Sequence, residues 1–218
     1  MDDFDSNVFV NCPFDDDYRQ LLLSVVFTVK TLGFTPRLSL ERNDSGETRI
    51  DKILNLILES KFGIHDLSRI ISSGSEEHYR MNMPFELGID YGCQKLKGDV
   101  WSRKKILILE KERYRYQKAL SDLSGSDIKN HDDDPIKVIK VVRNWFLPSE
   151  IERAPSGSVI WGDFNDFQAF LHDELVINDG HDSVDEVEVI EIISMMDLWF
   201  AKKCNKSSLQ EFASEAAV

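Results

Sequence analysis

The sequence predicts an α/β protein: an open parallel sheet of four to five strands flanked by helices, followed by a C-terminal helical extension. Three observations predict it. Short β-branched and aromatic runs alternate with segments whose apolar residues recur at helical spacing, the pattern of strands joined by crossover helices. With 218 residues and 42% hydrophobic content the chain can bury one substantial core. Beyond Leu109 the strand signals cease and helical ones take over, so the expected organisation is a sheet domain over 1–125 and a helical extension over 126–218 that packs on it or forms an oligomer interface.

The elements follow in order. Asn7 to Asn11 (NVFVN) is a strand, and Pro13 with the acidic turn Asp15-Asp16-Asp17 marks a loop and a helix start. Leu21, Leu22, Val25, Val26, Val29 and Leu32 give the first helix its stripe, and Gly33 ends it. Phe34 to Leu40 reads as the second strand, and Ile50, Ile53, Leu54, Ile57 and Leu58 as the face of the second helix. Lys61 to Leu67 contains the third strand, which ends in Asp66. Pro84 has a fixed φ and no N–H, which suits the first position of a helix running to about Lys95 and puts Glu86 in its first turn. Lys105 to Leu109 is the fourth strand. Helices are expected over 113–123 and 135–147 around a Gly/Ser/Asn/Asp loop, then a linker at 148–158 and amphipathic helices over 164–176 and 184–203.

Composition narrows the functional classes. The formal charge of −13 comes from 39 acidic against 26 basic side chains, which disfavours nucleic acid as the main partner and an anionic membrane surface as well. Cys12, Cys93 and Cys204 lie far apart without CxxC spacing, which predicts neither a disulfide framework nor structural zinc and suits a reducing cytoplasmic setting. The start of the chain has no basic segment leading into an apolar one, so no signal peptide is expected, and no apolar run is long enough to span a bilayer. The five histidines show no metal-ligand spacing, so no metal is assigned.

Right-handed crossovers bring every strand's carboxyl end and every following helix's amino end to one edge, where chemistry-bearing residues separated in sequence meet. Glu86 sits there, either as a carboxylate favoured in its charged form or as a cap on its own helix. Asp66, at a strand end, suits ribose hydroxyls or a turn-capping role. Phe14 suits a stacked base or the core, and Asp15 to Asp17 suit capping. Arg37, Arg42, Arg49, Arg69, Arg80 and Arg113 supply positive charge, and Arg69 and Arg80 flank the loop entering Glu86, as pyrophosphate grips or as solvated surface arginines. The loops lack GxGxxG and GxxxxGK[ST], which excludes hydride-transfer dinucleotide and P-loop signatures. No Ser/His/Asp triad is visible in the pattern.

The runs NVFVNCPF at residues 7–14, FGIHDLS at 62–68, PFELG at 84–88 and KILIL at 105–109 resemble the nucleoside 2-deoxyribosyltransferase-like proteins and the prokaryotic TIR-like (Toll/interleukin-1 receptor-like) proteins. The resemblance covers roughly residues 7–109. It departs from the deoxyribosyltransferase pattern at Cys12-Pro13, where those proteins carry Gly-Pro, and at Asn82-Met83-Pro84, where they carry small residues. It implies a flavodoxin-like sheet. It also implies a catalytic glutamate at Glu86 that attacks or stabilises an anomeric carbon, an aspartate at Asp66 that holds the sugar, and a base pocket at Pro13 and Phe14. The ligand-binding set is then Asn11, Pro13, Phe14, Ser68, Arg69, Arg80 and Met83. The implied function is hydrolysis of an N-glycosidic bond in a nucleotide, NAD favoured as substrate, in bacterial defence signalling and without a cofactor. The alternatives are a non-catalytic nucleotide-sensing or protein-interaction module and a deoxyribosyltransferase. A homo-oligomer through the C-terminal helices is the expected assembly.

Overall fold

The computed structural model describes residues 3–41, 44–70 and 81–215. Its sheet has five parallel strands: β1 (Asn7–Asn11), β2 (Thr35–Arg37), β3 (Phe62–Asp66), β4 (Lys105–Glu110) and β5 (Lys129–Asn130), in the order β2-β1-β3-β4-β5. The order 2-1-3-4-5 is that of an open flavodoxin-like sheet. All five residues of both β1 and β3 are buried, as a sheet covered on both faces requires. Their register pairs Val8 with Phe62 and Asn11 with His65.

Helices α1 (Arg19–Thr31), α2 (Arg49–Leu58), α3 (Asn82–Leu96) and α4 (Pro135–Phe146) cover the sheet. Phe9 packs with Ile53, Leu56 and Ile57 of α2 and with Ile89 and Cys93 of α3, so α2 and α3 share one face. The chain runs leftward from β1 to β2 and back across to β3, so right-handed crossovers place α1 on the other face, where it packs with α4.

The helix boundaries have local causes. The Asp15 side chain accepts the Tyr18 N–H and starts the turn that leads into α1. Gly33, at φ 83°, ends the helix in a conformation other residues resist. Thr48 caps α2 at the Asp51 N–H, and Asp134 caps α4 with Pro135 in the first helical position.

Several expectations are corrected. The second strand is trimmed to Thr35–Arg37. Helix α3 begins at Asn82, so Pro84 is its third residue and Glu86 lies beyond the first turn. The Phe85 N–H reaches the Met81 carbonyl at 3.0 Å and Asn11 holds the Met83 carbonyl at 3.1 Å, which keeps the backbone helical ahead of the proline. The helix expected over 113–123 is two short 3₁₀ turns, Arg115–Lys118 and Ser121–Leu123. Tyr116, Leu120 and Leu123 there pack on Leu67, Met83 and Leu87, so burial overrides helical periodicity. The expected loop at 125–134 contains β5.

The expected boundary at 125 also moves, because the first compact unit runs to Ile160. β5 is hydrogen-bonded to β4, and α4 delivers Phe146 into a ring cluster, stacked on Phe34 at 4.3 Å and edge-on to Phe62 at 5.3 Å. The second unit begins at Trp161 and holds most of α5 (Gly157–Leu171), a π-helical continuation to Asn178, and α6 (Val189–Glu215). Within it Phe167 meets Trp199 edge-on at 6.1 Å, and Lys202 pairs with Glu174 at 2.7 Å. Ile192 and Met196, on the helix expected to be amphipathic, are buried. No helix among the described residues is long and apolar enough to cross a membrane.

Phe146 is fully buried. Phe146→Ala is expected to lower the unfolding free energy by roughly 3–5 kcal/mol, measured by urea denaturation. A loss under 1 kcal/mol, on the order of a surface change, would show that α4 is not part of the first unit's core.

Candidate functional site

The connections leaving β1 and β3 depart in opposite directions, and such a switch point opens a crevice beyond the strands' carboxyl ends. A hollow of about 550 Å³ lies there, lined by Pro13, Phe14 and Asp15 after β1, Arg69 after β3, Arg49 at the start of α2, and Asn82 and Met83 at the start of α3. A larger hollow, about 700 Å³, lies at the opposite edge of the sheet beside Asn7, Leu58 and Arg103, so topology rather than size singles out the first.

Pro13, Phe14, Arg69 and Met83, expected to bind a ligand, line the switch-point hollow. Arg69 is also tied to Asp15 across it, at 2.8 Å. Asn11 is buried instead: its Nδ2 donates to His65 Nδ1 at 3.0 Å and to the Met83 carbonyl, which pins the first turn of α3 to the sheet. Ser68 is buried as well, its N–H donated to Asp66 Oδ1 at 2.7 Å. Arg80 lies outside the described residues, as does Arg42.

The two carboxylates part company. Asp66 is fully buried, and its oxygens accept the Tyr18 hydroxyl at 2.6 Å, the His131 Nε2–H at 2.9 Å and the Ser68 N–H. Burial alone would raise its pKa. The hydrogen bonds from His131, Ser68 and Tyr18, with the attraction of His131, outweigh that and hold it below the usual carboxylate range. These contacts make Asp66 an internal anchor joining β3, the turn that leads into α1 and the segment after β5; they do not present it to a sugar. Burial, reinforced by the Asp66 charge, pushes the neighbouring Cys12 thiol well up, so it is no nucleophile.

The structure does bring a serine, a histidine and an aspartate together, but not as a triad. His131 Nδ1 accepts the Asp133 N–H at 3.1 Å, so Nε2 carries the hydrogen and faces both Ser68 Oγ, at 3.0 Å, and Asp66. A working triad needs one ring nitrogen for the nucleophile and the other for the acid.

Glu86 has a different setting. Its side chain is only 5% exposed, and Oε1 stands 3.7 Å from the Arg49 guanidinium, which is 54% exposed and lines the hollow. As the fifth residue of α3 it does not occupy a capping position. Burial pushes its pKa up, and Arg49 opposes this only in part. Among the described residues the arrangement is a poorly solvated carboxylate held by one long ion pair at the side of a crevice that also offers a ring, Phe14, and a second guanidinium, Arg69.

Below Glu86 on the same helix, Asp90 is fully buried, with Oδ2 accepting the His65 Nε2–H at 2.9 Å and Oδ1 paired with Lys104 at 3.1 Å. Lys104 in turn donates to the Ile57 carbonyl at 2.8 Å. Gly63 makes room for this: a Cβ there would fall 2.2 Å from Asp90 Oδ2 and 2.8 Å from His65 Nε2. Through His65 and Asn11 the chain of contacts reaches Met83 at the hollow.

Sequence reasoning gave no role to Tyr18, His131, His65, Asp90 or Lys104. His131 is 65 residues from Asp66 and follows a two-residue strand without a pattern of its own. Arg49 was legible only as one of several edge arginines; its position just after the Thr48 cap was the available signal, since α2's amino end belongs to the same edge. Comparison with protein-family models, with curated proteins and with solved structures found no match to the chain.

Two outcomes follow. Asp66→Asn is expected to cost roughly 3 kcal/mol at neutral pH. Asp66 has a depressed pKa, so its contribution is present above the unfolded carboxylate range and is lost as pH falls through the folded value. The gap between variant and parent should therefore close in acid, read by urea denaturation at several pH values. Glu86 has the opposite sign: its raised pKa favours the folded state at low pH and works against it as pH rises through the folded value. Glu86→Gln should melt at or above the parent temperature at pH 7–8 and lose that advantage in acid, and a lower melting temperature at neutral pH would contradict this account of Glu86.

Proposed function

We propose that the chain binds a nucleotide in the switch-point hollow and hydrolyses its N-glycosidic bond, with NAD as the favoured substrate. The observation that carries this reading is Glu86: a carboxylate almost without solvent, coupled to Arg49 in the wall of the crevice. As the bond to the base breaks, its electron pair leaves with the base nitrogen and positive charge develops on the ribose. A carboxylate poor in hydration gains more from that charge than it had in the ground state, which is the differential binding that accelerates a reaction. Nicotinamide departs neutral from NAD and needs no general acid. Water then adds to the anomeric carbon and gives up one proton, to Glu86 or to solvent, so that NAD and water yield nicotinamide, ADP-ribose and a proton. Phe14 and Pro13 supply an apolar wall for a ring. Asp66 has no direct part in this proposal.

A second reading, nucleotide sensing without turnover, is favoured by a specific observation. Glu86 reaches the hollow through Arg49 and is not itself part of its lining, and Asp66 is committed elsewhere.

The two are separated by following nicotinamide release from NAD beside a thermal shift. Hydrolysis predicts release that falls by about 10²–10³-fold in Glu86→Gln, the magnitude of losing one charge-stabilising group. A shift on adding NAD with no release in the parent protein would establish the sensor instead.

A further inference from the structure

Among the described residues the walls of the hollow carry two guanidiniums, and each already holds a carboxylate of this chain. Arg69 meets Asp15 with two nitrogens, Nη2 at 2.8 Å and Nε at 3.3 Å, and Arg49 meets Glu86 at 3.7 Å. Neither pair is sequestered on its basic side, since the arginine side chains are 32% and 54% exposed. The 3.7 Å separation is too long for a hydrogen bond, so Glu86 has an arginine close enough to offset its charge and not close enough to be fixed by it. A planar guanidinium prefers two oxygens of one group, which a phosphate offers. The Glu86 carboxylate, approaching from inside the fold, does not offer that geometry.

We propose that this site selects a phosphorylated nucleoside over the bare nucleoside, and that phosphate oxygens replace Glu86 on Arg49, while Arg69 keeps both Asp15 oxygens, so that binding itself releases Glu86 from its arginine. The inference rests on the reading that the switch-point hollow is the ligand site. It assigns the ligand class, and it gives binding a consequence for the carboxylate. In the ligand-free protein the arginine shields Glu86 and limits its effect on a developing cation. Once the phosphate takes Arg49, Glu86 loses the guanidinium that offsets its charge among the described residues. Loss of Arg49 also removes the influence that holds the Glu86 pKa down, so binding of an anion without a sugar cation should draw a proton onto Glu86.

The test is calorimetric titration of the full chain with ADP, adenosine and inorganic pyrophosphate. ADP is expected to bind at least about tenfold more tightly than adenosine, and Arg49→Gln should erase that advantage, as loss of a charge-assisted contact does. Glu86→Gln removes the competitor for Arg49 and should tighten ADP binding several-fold, an outcome that no merely structural role for Glu86 produces. Titration of pyrophosphate in buffers of different ionisation enthalpy should show more proton uptake in the parent than in Glu86→Gln, the difference setting aside the protons that pyrophosphate itself exchanges. Equal affinity for ADP and adenosine, or ADP affinity unmoved by Glu86→Gln, overturns the inference. The two readings fail separately. Nicotinamide release with KM unchanged in Arg49→Gln sinks the arginine exchange alone, whereas arginine-dependent ADP binding without release sinks hydrolysis alone.

Discussion

A carboxylate with no solvent cannot stay charged unless the fold brings it partners, and Asp90 imposes that condition on the α/β unit. It is fully buried on α3, between Lys104 at the entry to β4 and His65 in β3. Leaving such a charge uncompensated costs several kcal/mol, so the packing of α3 against β3 and β4 cannot relax independently of these contacts. Lys104 is itself buried and pinned by backbone carbonyls of the α2–β3 turn. The position of α3, and with it that of Glu86, is thus set from beneath by ionic contacts and from above by Asn11 on the Met83 carbonyl.

The same rule explains why Asp66 and Glu86, both acidic and both close to the carboxyl edge of the sheet, have different environments. Asp66 receives several strong donors and is stabilised as an anion. Glu86 receives, among the described residues, one distant guanidinium and is not. A group satisfied in the resting state has little left to give to a reacting molecule. An under-satisfied one retains it, at a cost borne by the rest of the fold.

Much of the architecture was legible because parallel strands buried on both faces need continuous apolar and β-branched runs, which NVFVN and KILIL display. β5 was not, since two residues paired at a sheet edge impose no periodicity. The start of α3 was misplaced because proline's preference for a first helical position is local, while the Asn11 hydrogen bond that extends the helix comes from 72 residues away. Among the residues that line the hollow, topology pointed to Pro13, Phe14 and Arg69, since it gathers the loops after β1 and β3 at one edge, whereas Met83 came only with the resemblance. Topology could not tell an aspartate facing outward from one facing inward, since Asp66 ends its strand in either case. Tyr18 and His131 decide that matter, and neither carries a sequence mark of doing so.

Gly63 gives one of these contacts a bearing on descent. The atom that residue lacks would stand 2.2 Å from an oxygen of Asp90. A substitution at 63 therefore has to displace that oxygen from His65 unless position 90 changes with it, which couples what the two positions tolerate.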